Sequence, residues 1–155
     1  MPQMNKGGKF IFGKSKISDS GEVKIPIQAA EEYNIAFEGK VYLFTGSKIT
    51  GGFCVTRKGL LLPSALGHIL TDTPDLMNYA LPAGKFVPYK GRAYCWVDIS
   101  ADGKIVLSKE MMNYLHLMPD MQLLAIRSSN IAFTMGAKGP LLEKAERFSG
   151  EIPQF

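Results

Sequence analysis

Cysteine and histidine are scarce in this chain, with two of each in 155 residues. Cys54, Cys95, His68 and His116 lie far apart, and no spacing among them resembles a zinc site. The two thiols sit among apolar neighbours and are expected as buried free cysteines rather than a disulfide. No apolar run approaches the ~20 residues a membrane span requires. The segment from Met1 to Lys9 lacks the apolar core of a signal peptide, so a cytoplasmic protein is expected. There is no G-x-S-x-G, and Glu31-Glu32 are adjacent, so they point apart on a helix. The methionines Met111, Met112, Met118 and Met121 suit core and interface filling rather than a cofactor box. These absences give no support to an enzyme, a metal centre or a cofactor.

What is present is a repetition. Residues 17–61 contain Gly21-Glu-Val-Lys-Ile-Pro26, then Tyr33-Asn34-Ile35, Val41–Phe44, Ser47-Lys48-Ile49 and Lys58-Gly-Leu-Leu61. Residues 99–142 contain Gly103-Lys-Ile-Val-Leu-Ser108, then Leu115-His116-Leu117, Leu123–Ile126, Ser129-Asn130-Ile131 and Lys138-Gly-Pro-Leu-Leu142. The offset is about 82 residues, shortened where the second copy lacks Gly51-Gly52. Such self-similarity redefines the folding unit. One copy is too small to bury much core, whereas two packed together make an adequate domain.

Each copy reads β-β-α-β-β. Lys9–Ile17 and Arg92–Ile99 are first strands by their β-forming residues. Asp19-Ser-Gly21 and Ala101-Asp102-Gly103 supply turns, leading into Glu22–Ile25 and Lys104–Leu107. Short helices are expected over 27–34 and 109–116, the second capped by Ser108. Strands follow at 41–44, 53–57, 122–126 and 131–135. The expected organisation is a first repeat over 9–61, a helical inter-repeat segment without strand pattern over 62–91, a second repeat over 92–142, and a C-terminal helical extension and tail over 143–155.

Net charge is +4, and residues 1–60 hold the excess. Lys6, Lys9, Lys14 and Lys16 follow one another without an acid between them, which suits a phosphate backbone or a solubilising surface. Gly8–Ser15 matches the P-loop spacing G-x-x-x-x-G-K-[ST]. Its interior is Lys-Phe-Ile-Phe, which are strand residues, and a turn follows instead of a helix. A nucleotide cofactor is therefore not expected.

The run from Gly21 to Ile35, and still more Gly103-Lys-Ile-Val-Leu-Ser-Lys-Glu110 followed by Leu115-His-Leu-Met-Pro-Asp120, resembles the AbrB/MazE/SpoVT family. The resemblance covers roughly two thirds of the chain. It implies a mainly β fold with short helices, in which two tandem copies form a pseudo-twofold swapped-hairpin barrel with a helical extension after each. It also implies a DNA-binding transcription regulator whose β-arms carry cations. Residue by residue, those cations are Lys9, Lys14, Lys16, Lys24, Lys104 and Lys109. Double-stranded DNA and a second copy of the chain are the partners the resemblance suggests, and a membrane is not among them. The sequence departs from the family where Glu22 and Lys104 replace the arginine after the turn glycine. Arginine is the better base reader, and lysines can hold a backbone without reading sequence. The rival expectation is a protein-interaction or assembly module on the same barrel that has lost DNA binding, with Glu22, Ala30 and Met112 where cations belong.

Overall fold

The computed structural model describes residues 5–6, 9–46 and 50–138. The chain begins with β1 (Asn5–Lys6), β2 (Lys9–Lys16) and β3 (Glu22–Lys24), then α1 (Ile27–Glu32), β4 (Lys40–Thr45) and β5 (Phe53–Thr56). Three short helices follow, α2 (Lys58–Leu61), α3 (His68–Asp72) and α4 (Pro74–Met77). The second half contains β6 (Val87–Tyr89), β7 (Arg92–Asp98), β8 (Lys104–Val106), α5 (Lys109–Leu115), β9 (Gln122–Arg127) and β10 (Phe133–Gly136). The fold is mainly β, and no helix among the described residues is long and apolar enough to cross a membrane.

Seven strands form one antiparallel sheet in the order β2-β9-β10-β5-β4-β7-β6, and the two-residue β1 extends it at the β2 edge. β3 and β8 form a separate two-stranded ribbon, with Glu22, Val23 and Lys24 opposite Val106, Ile105 and Lys104. The turns that feed the ribbon use one device twice. Gly21 and Gly103 donate to the carbonyls of Ser18 and Ser100, both at 3.0 Å. The Ser18 and Ser100 hydroxyls then accept the N–H of Glu22 and Lys104, both at 2.9 Å. Gly21 has φ of +84°, and a Cβ there would lie 2.1 Å from the Leu107 carbonyl oxygen. Only glycine satisfies both conditions.

The sheet packs apolar residues on both faces. On one face Val41, Leu43, Phe53, Val55, Phe133 and Met135 meet Val23, Ile25, Ile105 and Leu107 of the ribbon and Ala29, Met111 and Leu115 of α1 and α5. On the other face Tyr42, Phe44, Cys54 and Tyr94 meet Leu61, Ile69, Leu70 and Leu76 of α2 to α4. A strand covered on both sides has no polar alternation to show, which is why β5 is buried at all four positions.

The Ser108 cap forms as expected, its hydroxyl accepting the Met111 N–H at 3.2 Å. Asn34 and His116 both adopt left-handed φ, +49° and +58°, at the ends of their helical stretches. The inter-repeat segment differs from expectation, because Val87–Tyr89 is a strand. It pairs with Arg92–Tyr94 of β7 across Lys90-Gly91, both at positive φ. Two consecutive positive φ values make the tight turn whose twist matches a hairpin. The turn at Ser47-Lys48 and the extension over 143–155 lie outside the described residues.

Candidate nucleic-acid interface

Lys14 and Lys16 point away from the ribbon-side core, because the intervening Ser15 is fully buried and alternation sends its neighbours outward. They stand opposite Leu124 and Gln122 in the β2–β9 ladder. The Ser15 hydroxyl donates to the Lys24 carbonyl at 2.5 Å and so ties β2 to the ribbon. In the ribbon Val23 and Ile105 are buried, so Glu22, Lys24, Lys104 and Val106 occupy the opposite, outward face. Lys24 and Lys104 are direct register partners. Like charges facing each other destabilise a strand pair, so Lys24 gains nothing from its register partner.

Lys104 is the one member of this group held by carboxylates. Its Nζ is 3.8 Å from Glu22 and 3.6 Å from Asp102. Lys14, Lys16, Lys24 and Lys109 form no ion pair among the described residues. Lys109 opens α5, where the helix end carries positive partial charge, so its ammonium also works against local stability. It lies at the other end of the ribbon, beside Val106, and so apart from the Lys24–Lys104 pair. Lys9 sits in β2 opposite Lys6. The P-loop-like residues Lys9–Lys16 form that same strand, and Lys14 is in the ladder.

The remaining described arginines and several lysines have partners. Arg57 bonds Glu38 at 2.8 Å, and Arg127 donates through Nε to Glu32 at 2.8 Å. Lys40 pairs with Asp98 at 2.8 Å and lies 5.1 Å from the Trp96 ring centre. A second cationic region was not expected from the sequence. Lys90 lies 5.3 Å from the Tyr89 ring centre, and Arg92 lies 5.3 Å from that of Phe44. The signal was present, since residues 85–92 hold Lys85, Lys90 and Arg92 and no acid.

Burial pushes the Cys95 thiol up to about 12 and raises Cys54 as well, which leaves both protonated and poorly nucleophilic at neutral pH. Burial, reinforced by Glu32, pushes the Tyr33 hydroxyl up to about 12, and this hydroxyl donates to the Ser129 carbonyl at 2.6 Å. Among the described residues no group of three or more His, Cys, Asp or Glu could hold a metal ion. Compared with known proteins, the chain matches no family model and no curated protein.

Proposed function

We propose that the chain is a duplicated half-barrel of the AbrB/MazE/SpoVT type whose copies complete each other, and that it binds double-stranded DNA through Lys14, Lys16, Lys24 and Lys104. Strand pairing supports the duplication. From Gly13 to Lys16 β2 pairs with β9 in the register that β7 keeps with β4: Lys16 faces Gln122 while Asp98 faces Lys40, and both substitutions of partner are shifts of 82 residues. The ribbon bonds are reciprocal, with Ile25 donating to Gly103 and Leu107 to Gly21, both at 2.8 Å. A single copy would leave these ladder edges unpaired.

The observation that carries the DNA reading is the set of outward lysines on β2 and β3, three of them without a carboxylate partner among the described residues, together with the opposed Lys24–Lys104 pair. Fixed cations on a rigid strand match a phosphate backbone without selecting bases. With about five phosphate contacts, log–log plots of affinity for a short duplex against salt should have a slope of about −4 to −5. A flat plot, or no binding at low salt, would remove the proposal.

A second reading, an assembly or protein-interaction module on the same fold, is favoured by one feature. At the far end of the ribbon Val106 and Met118 are 55% and 66% exposed. They border a cavity of about 460 Å3 that Met112 and Leu117 also line. A contiguous apolar surface of this kind suits a protein partner. Light scattering tests this reading, since a strictly monomeric protein at high concentration argues against self-assembly.

A further inference from the structure

We propose that the cleft between the inter-repeat segment and the β9–β10 turn binds a small monocarboxylate with a short apolar tail, seated on Arg92. Arg57 and Arg127 are each held by a carboxylate, and Arg92 is the described arginine that is not. It is nonetheless fixed in place. One terminal nitrogen donates to the Thr45 carbonyl at 3.0 Å, and the guanidinium lies over the Phe44 ring. With its contact to the Cys54 thiol counted as well, N–H groups of the planar fork remain for a ligand, and the fork matches a carboxylate in two parallel bonds.

Arg92 borders a cavity of about 370 Å3, within the range of roughly 300–1,000 Å3 typical of small-molecule sites. Its floor is the Cys54–Thr134 pair, opposite each other in the β5–β10 ladder with Sγ and Oγ1 3.4 Å apart. Ser128 and Ser129 border it from the β9–β10 turn. The Ser129 oxygen already accepts the N–H groups of Ile131 and Ala132, both at 3.3 Å, so its own proton is available to donate. No Asp or Glu is among the described residues lining the cavity, and Leu66, Ile131 and Phe44 supply apolar wall. One guanidinium, several hydroxyl donors and no acid define an anion site. A single cation with apolar walls favours a carboxylate over the doubly charged phosphate.

The test is calorimetric titration of the full chain with benzoate, butyrate and inorganic phosphate. Benzoate or butyrate should bind saturably, and phosphate at least tenfold more weakly. Arg92→Gln should weaken the carboxylate at least tenfold, with Arg92→Lys in between, because a point charge replaces the fork. The proposal is overturned by any of three results: no saturation with either carboxylate, equal affinity in a folded Arg92→Gln variant, or phosphate binding as tightly as benzoate. None of these results depends on whether the protein binds DNA.

Discussion

β2 and β7 hold matching places in the sheet, each beside a strand from the other half of the chain and next to an edge strand. Their outward residues differ in chemistry. β2 presents Lys14 and Lys16. The corresponding positions of β7 are Trp96 and Asp98. The Trp96 indole donates to the Leu81 carbonyl at 2.8 Å and meets the Tyr79 ring edge-on with centres 5.4 Å apart. Asp98 accepts from Lys40 at 2.8 Å. One strand therefore holds the inter-repeat segment against the sheet and has its charge neutralised. The other leaves its cations without carboxylate partners. The ribbon repeats the contrast, with Lys24 facing Lys104 at one end and Glu22 facing Val106 at the other. Under the proposed duplication, one copy was adapted to cover the fold and the other kept an electrostatic face.

The largest effect that would sharpen this contrast is on stability. Trp96→Ala should cost about 3 kcal/mol in urea unfolding, the lower end for a large aromatic because the side chain is half-buried. Lys14→Ala at the matching position should stay within about 0.5 kcal/mol. Equal costs at the two sites would erase the distinction. Next in size is DNA affinity. Reversing Lys14 and Lys16 to Glu should weaken duplex binding more than tenfold at low salt, alike on unrelated sequences, and flatten the salt slope by about 2. Unfolding midpoints should be nearly unchanged, since neither lysine has an ion pair to lose.

A smaller effect probes the ribbon. Val106→Lys adds a cation at its deficient end and should raise duplex affinity a few-fold, through about one further phosphate contact. An unchanged affinity there would mean that DNA never reaches that end. The smallest effect is alkaline. Tyr33 packs against Phe12 of β2 with ring centres 6.3 Å apart, and burial lifts its hydroxyl from the ordinary 10.0 to about 12 in the folded chain. Its contribution is complete below pH ~10 and is lost as pH rises toward 12, because the unfolded chain gives up the proton first. Tyr33→Phe should flatten the decline in stability over that window, as followed by denaturant midpoints.

Much of the fold was legible in local chemistry. Asp19-Ser-Gly21 and Ala101-Asp102-Gly103 announced the turns, and Ser108 announced its helix. β6 was missed because Val87-Pro-Tyr89 is short and carries a proline, which argues against a strand. It survives at the sheet edge beside the Lys90-Gly91 turn, whose lysine at positive φ gave no sign of itself. Of the candidate interface, Lys14 and Lys16 lie in the acid-free run of lysines near the start of the sequence, whereas Lys24 was named only through the family resemblance. The restraint of Lys104 by Glu22 and Asp102 was not, because cross-strand register decides it. Arg92 escaped notice because its role rests on Phe44, Cys54 and Thr134, 38 to 48 positions away along the chain, which only the sheet brings together.

The difference between β2 and β7 is tested most directly by backbone amide shifts during titration with a short DNA duplex at low salt. The account predicts perturbations concentrated at residues 14–16, 24 and 104, with little change over 94–98 and the α2–α4 surface. Perturbations centred on β7, or spread evenly over both strands, would contradict it.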